Sequence, residues 1–83
     1  LDDEMAPAPQ SLMRVLALDE ALNALERHDP RQHRVAELRL FGGLSAEEIG
    51  TYLDISPRTV RDDWSQARAW LARHLRPSSG NGA

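Results

Sequence analysis

The sequence predicts an all-α fold in which four helices form one small helix-turn-helix domain, with neither strands nor a wing. Three observations support this prediction. Apolar residues recur at spacings of three and four instead of alternating. Residues that start and stop helices divide the chain into four segments, and only a short turn separates the last two. The 83 residues suffice for one domain with a modest core.

The first helix is predicted over residues 11–28, with Ser11 as its N-cap. Asp29 and Pro30 end it, because proline cannot continue the backbone hydrogen bonding. Asp29 then caps the second helix, predicted over 30–41 with Pro30 at its first position. The expected buried positions of these two helices are Leu12, Val15, Leu16, Leu22, Leu25, Val35, Leu38 and Phe41.

The third helix, residues 45–53, follows Gly42-Gly43 and begins with a capping box, in which Ser45 and Glu48 satisfy each other's backbone N–H groups. Asp54 is expected to adopt the left-handed conformation. Gly50 would allow the next helix to approach closely, since it has no Cβ.

The fourth helix is predicted over residues 56–76, with Ser56 as its cap and Pro57 in its first turn. Its expected buried stripe is Val60, Trp64, Ala67, Leu71 and Leu75. Trp64 is predicted as the central core residue.

The two ends of the chain differ in composition from the helical part. Residues 1–10 carry three acids and no base, which accounts for the formal net charge of −3, and we expect a disordered linker there. Residues 77–83 are expected to form a disordered tail. Residues 56–76 hold five arginines against two aspartates, so this segment is locally basic although the whole chain is not.

The helical wheel places polar side chains of the fourth helix opposite its buried stripe. Arg58, Asp62 and Ser65, with Thr59 beside them, could reach base edges in a DNA groove. Arg61 and Arg68 lie at the margin, where phosphates are the expected contacts. A merely solvated polar face is the competing interpretation, but the tight turn, Gly50 and the local positive charge favour DNA binding.

No enzyme, cofactor or metal site is predicted. The three histidines lack partners at ligand spacing, no nucleophile has a base at helical spacing, and Gly42-Gly43 lacks the lysine of a phosphate-binding loop. The absence of cysteine and of a long apolar run favours a cytoplasmic protein that does not enter a membrane.

The run LRLFGGLSAEEIGTYLDISPRTVRDDWSQARAWL resembles region 4 of bacterial extracytoplasmic-function (ECF) sigma factors. The matching motifs are the GLS start, EEI followed by a small residue, S-x-x-TV at the start of the last helix and A-R-x-x-L at its end. The resemblance implies a C-terminal domain that places its fourth helix in the −35 promoter element and binds the flap of the RNA polymerase β subunit. An anti-sigma factor and the sigma region 2 domain are further candidate partners.

The resemblance also implies DNA-contacting positions, namely Arg58, Thr59, Arg61, Asp62 and Ser65, together with Ser45 at the helix start that commonly meets a phosphate. Asp62 departs from the family pattern, which more often has a basic or small polar residue there. We expect Asp62 to pair with Arg58, four residues earlier on the same face.

Two alternatives to the sigma domain have the same helical layout. One is a LuxR-like DNA-binding domain of a response regulator, which PRQHRV and the absence of lysine argue against. The other is a protein-interaction module whose helix-turn-helix no longer binds DNA, suggested by Asp62, Asp63 and the low isoelectric point.

Overall fold

The computed structural model describes residues 9–75, and within this range it contains four helices and no strand. The helices are α1 (Pro9–His28), α2 (Pro30–Leu40), α3 (Ala46–Leu53) and α4 (Pro57–Leu75). Helices α2 and α4 each contact all the others, whereas α1 and α3 do not contact each other. This arrangement confirms the all-α helix-turn-helix prediction.

Most predicted capping contacts are present. Asp29 accepts a hydrogen bond from the Gln32 N–H at 3.1 Å, and Ser56 Oγ accepts one from the Thr59 N–H at 3.0 Å. Ser45 and Glu48 form both hydrogen bonds of the capping box. Each contact satisfies a backbone group that a helix terminus leaves without a partner. Local sequence therefore determines where α2, α3 and α4 begin.

The start of α1 differs from the prediction. The helix begins at Pro9, so Ser11 lies inside its first turn and is not its N-cap. A proline is well tolerated there because the first helical N–H groups have no intrahelical partner. The predicted linker therefore overlaps α1 at its last two residues, while residues 1–8 and the predicted tail lie outside the described residues.

The core consists of two adjoining clusters. In the first, α1 and α4 pack around Ala36 of α2 through Ala21, Leu22, Leu25, Ala67 and Leu71. In the second, Val35 of α2, Ile49 of α3 and Val60 of α4 meet. Because Val60 and Leu71 lie on one stripe of α4, this helix joins the two clusters.

Several predicted core positions are exposed. The buried hydrophobic positions of α1 begin at Ala21, and Leu12, Val15 and Leu16 on its N-terminal half are about half exposed or more. Phe41 is 67% exposed at the C-terminal end of α2. Helical periodicity identified the apolar side of these helices but not how much of that side a neighbouring helix covers.

Trp64 is only partly buried, so its prediction as the central core residue is wrong. Its ring packs against both core clusters at their edge. The buried residues of α4 are Val60, Asp63, Ala67 and Leu71, and Leu75 is 38% exposed. The small side chain of Ala67 allows close packing of α4, while the large indole ring lies at the margin, as is common for tryptophan.

Candidate nucleic-acid interface

The turn between α3 and α4 comprises Asp54, Ile55 and Ser56. Asp54 adopts the predicted left-handed conformation, with φ of 61° and ψ of 47°. The Ile55 N–H donates to the Gly50 carbonyl oxygen at 2.9 Å. A Cβ on Gly50 would lie 2.7 Å from the Ile55 carbonyl oxygen, which is closer than van der Waals contact allows. Only glycine therefore permits this approach, and the relative orientation of α3 and α4 depends on it.

The solvent-facing side of α4 carries most of the predicted DNA-contacting residues. Arg58, Asp62 and Ser65 are exposed along it, and Thr59 beside them is partly buried. The Thr59 hydroxyl is 2.9 Å from Ser56 Oγ, from which it accepts a hydrogen bond at the start of the helix. The face thus presents one positive, one negative and one neutral polar side chain at successive turns, which suits hydrogen bonding to base edges.

The predicted pair between Arg58 and Asp62 is absent. The ion pairs found between residues 9 and 75 are Arg31–Asp63 and Arg61–Glu47. His33 Nε2 also lies 3.8 Å from Glu37 Oε2, a contact that is ionic only when the histidine is protonated. Pairs at this spacing on an exposed helix face contribute only about 0.3–0.5 kcal/mol net, which is too little to hold Arg58 and Asp62 together. Asp62 is thus an exposed carboxylate in the middle of the face.

The flank of this face is basic and contacts α3. Arg61 Nη1 donates to Glu47 Oε2 at 3.2 Å, which links α4 to the first turn of α3. The pKa of Glu47 is lowered by a hydrogen bond from its own backbone and by the hydrogen bond and charge of Arg61. Arg68, further along α4, places its guanidinium 5.7 Å from the centre of the Trp64 ring, a distance typical of a cation–π contact.

A surface pocket, which we call the α3 pocket, opens where α3 begins and α4 passes it. Its lining includes Arg39, Ser45, Glu47, Arg61 and Trp64. Arg39 Nη1 donates to the Leu44 carbonyl oxygen at 2.9 Å, so its guanidinium is held beside the start of α3. The pocket therefore combines two guanidinium groups with the N-terminal end of a helix dipole, and both attract anions.

Ser45 lies at this pocket, but its backbone N–H is already occupied. That N–H donates to Glu48 Oε1 at 2.8 Å, and the Ser45 hydroxyl oxygen accepts from the Glu48 N–H at 3.1 Å. The Ser45 hydroxyl can still donate a hydrogen bond through its hydrogen, since a serine hydroxyl both donates and accepts.

Beneath the face, two polar contacts that the sequence-based prediction missed join α2 to α4. Arg31 donates from Nε to Asp63 Oδ2 at 2.6 Å and from Nη2 to Oδ1 at 3.2 Å. The Asp63 side chain is 6% exposed and that of Arg31 is 55% exposed. The hydrogen bond and negative charge of Asp63 raise the pKa of Arg31. Gln32 Nε2 donates to Gln66 Oε1 at 2.7 Å along the same seam.

The spacing of Asp63 is compatible with a buried position. It lies three residues after Val60 and four before Ala67, which is the same helical stripe. The hydrophobicity of Trp64 favoured the neighbouring position in the sequence-based prediction. By contrast, no local signal indicates Arg31, because it lies 32 residues away in the chain.

At the opposite end of α4, Trp70 stacks between two histidines. Its ring centre is 5.4 Å from that of His28 and 4.6 Å from that of His74, with interplanar angles of 19° and 13°. His28 ends α1, so the stack joins the C-terminal ends of α1 and α4. Trp70 therefore contributes to the attachment of α1.

Comparison with known protein families agrees with these features: a model described as ECF sigma factor matches residues 1–77. The chain belongs to the ECF sigma factor family. Proteins of this family act in transcription initiation, bind RNA polymerase and promoter DNA in general, and are regulators rather than enzymes. Comparisons with curated proteins and with solved structures found no match. Among the helices described, none is long and apolar enough to cross a membrane.

Proposed function

We propose that this chain recognises the −35 promoter element through α4 and attaches to RNA polymerase through the flap of the β subunit. The observation that supports promoter recognition is the exposed face of α4 described above. It presents Arg58, Asp62 and Ser65 outwards, and Arg61 and Arg68 flank it. A helix of this kind fits the major groove, where side chains read base edges while flanking arginines contact phosphates.

In this proposal each residue has a distinct role. Arg58 donates two hydrogen bonds to a guanine, the commonest specific contact of arginine with DNA. Asp62 accepts a hydrogen bond from a cytosine amino group or rejects other bases, and Thr59 and Ser65 add polar contacts. Arg61, Arg68 and the Ser45 hydroxyl contact the phosphate backbone.

A second surface supports attachment to polymerase. The groove between α1 and α2 is lined by four apolar side chains, Val15, Leu18, Leu22 and Phe41, and by four polar ones, Asp19, Asn23, His33 and Glu37. Val15 and Phe41 are more than 60% exposed. No residue of α4 lines this groove, so a protein helix could bind in the groove while α4 binds DNA. Exposed apolar patches of this kind typically mark protein-binding sites.

Promoter recognition is tested by comparing the parent chain with Arg58→Ala on matched and scrambled −35 duplexes at fixed salt. We expect Arg58→Ala to lose about 1–3 kcal/mol on the preferred duplex and much less on the scrambled one. If the parent binds both duplexes equally and Arg58→Ala changes neither affinity, α4 does not read DNA and the protein-interaction module becomes the better interpretation.

Attachment to polymerase is tested separately with Phe41→Asp in a pull-down with the isolated β flap. Phe41 is exposed, so the substitution should leave the fold intact while placing a charge in the groove. We expect flap binding to be lost and DNA binding to be retained. Flap capture that is unchanged by Phe41→Asp would exclude this groove as the attachment surface.

A further inference from the structure

Arg61, which the proposed function assigns to a DNA phosphate, is already engaged in the free domain. Its guanidinium lies 3.2 Å from the Glu47 carboxylate, and both side chains are well exposed, at 60% and 68%. The contact is therefore at the surface, where a DNA backbone would have to approach. This contact uses Nη1 alone, so a phosphate can displace Glu47 from Nη1 or bind the remaining N–H groups of Arg61 beside the carboxylate, which repels it.

The surroundings of Glu47 are otherwise suited to an anion. Arg39, Arg61 and the start of α3 converge on the α3 pocket, and Glu47 is the single acidic residue among those lining it. Its carboxylate is charged near neutral pH, as for any exposed glutamate, and its lowered pKa extends the charged range to more acidic pH. Glu47 thus places a negative charge at the position that the basic groups of this pocket would otherwise offer to DNA.

We propose that Glu47 competes intramolecularly with DNA phosphates for Arg61 and thereby weakens sequence-independent binding. This inference rests on the proposed function, because it assumes that α4 binds DNA. Glu47 would lower the affinity for DNA in two ways. It engages the Arg61 guanidinium, and it repels the approaching phosphate backbone. Because Glu47 weakens the sequence-independent binding to phosphates, the affinity for a promoter depends more strongly on base contacts and on simultaneous attachment to polymerase.

The experiment measures binding of the folded 83-residue chain to a labelled duplex of mixed sequence over a range of salt concentrations. Glu47→Gln preserves the size of the side chain and removes its charge. We expect it to raise affinity about three- to tenfold at low salt and to steepen the salt dependence by roughly one phosphate contact. Glutamate favours the first turn of a helix, so the variant should not gain thermal stability.

Two further variants separate this effect from a general change in net charge. Glu26→Gln makes the same charge change at an exposed position of α1, a helix that does not contact α3, and should alter affinity far less. Introduced into Arg61→Gln, the Glu47→Gln substitution should lose at least half of its effect, because the guanidinium for which Glu47 competes is gone.

The inference is overturned if Glu47→Gln gains no more affinity than Glu26→Gln, or if its gain is the same with and without Arg61. In either case the proposed function stands as long as Arg58→Ala still abolishes preference for the matched duplex. A folded parent chain that binds no duplex at low salt would instead overturn the proposed function, and this inference with it.

Discussion

The contact between Arg31 and Asp63 allows a prediction whose sign depends on which partner is removed. Arg31→Met keeps a long side chain but leaves the Asp63 carboxylate without its guanidinium, and that carboxylate is 6% exposed. Removing the partner of a fully buried charge typically costs about 3–5 kcal/mol, whereas an exposed pair contributes at most about 1. Arg31 itself is 55% exposed, so solvent screens this pair in part, and we expect a loss of about 2–3 kcal/mol.

The converse substitution should cost less. Asp63→Ala leaves Arg31 without its partner, but that guanidinium can turn into water, so no buried charge remains. We therefore expect Asp63→Ala to be less destabilising than Arg31→Met, and the double variant to be more stable than Arg31→Met alone. A protein in which the two side chains acted independently would show additive losses instead.

The assay is urea and thermal unfolding followed by circular dichroism at neutral pH. For a domain of this size, a loss of about 2–3 kcal/mol lowers the melting temperature by roughly 10–20 °C. Arg34→Met, an exposed arginine on the same helix whose hydrogen bond to Tyr52 is also exposed, is the matched control. If Arg31→Met melts within a few degrees of this control, or if removing Asp63 fails to restore stability, the reasoning about the buried carboxylate is wrong.

Three other predictions concern the helix-turn-helix. Gly50→Ala should lower stability by about 1–3 kcal/mol in thermal unfolding despite the better helix propensity of alanine, because the new Cβ meets the Ile55 carbonyl oxygen; an unchanged melting temperature would contradict this. Asp62→Ala should raise affinity for scrambled duplexes and relax selectivity at one or two base pairs, which binding titrations at fixed salt would measure. Arg61→Gln should raise the pKa of Glu47 in an NMR titration but leave it below the ordinary value, because the hydrogen bond from its own backbone remains; a pKa that does not move would exclude the contact in solution.

The pKa shift of Glu47 also sets the direction of a small pH effect. A carboxyl whose pKa is lower in the folded state stabilises the fold above its unfolded pKa, about 4.3 for glutamate. This contribution is lost as the pH falls through the lowered value. Since both side chains are exposed, the effect on stability should be slight, and the NMR titration is the more sensitive measurement.

Local sequence signals account for most of what could be predicted. The caps at Asp29, Ser45 and Ser56, and the left-handed Asp54, each involve groups within about three residues of one another. Such contacts form wherever the chain adopts that turn, so residue type and spacing suffice to identify them. The role of Gly50 could also be predicted from the sequence, because two helices joined by so short a turn require a position without a Cβ.

Features that depend on distant residues could not be predicted in the same way. The spacing of Val60, Ala67 and Leu71 is compatible with either Asp63 or Trp64 in the buried stripe, and hydrophobicity favoured the tryptophan. The aspartate is buried because Arg31 reaches it from α2. Likewise, periodicity identified Leu12 and Leu16 as one side of α1 but could not show that about half of each side chain stays exposed.

The adjacent acids Asp62 and Asp63 connect the core to the candidate DNA-binding face. A rotation of α4 by one residue position would place Asp62 where Asp63 now faces α2, and would carry Asp63 toward the position of Trp64. Asp62 would then face Arg31 in place of Asp63, but the hydrogen bond between Gln66 and Gln32 would be lost. Thr59 and Gln66 would also replace Val60 and Ala67 in the buried stripe, where polar groups without partners are costly. The buried stripe and the contact between Gln32 and Gln66 therefore determine that Asp62 faces outwards, between the groups that would read bases. The side chains proposed to contact DNA thus depend on how the buried side of α4 packs.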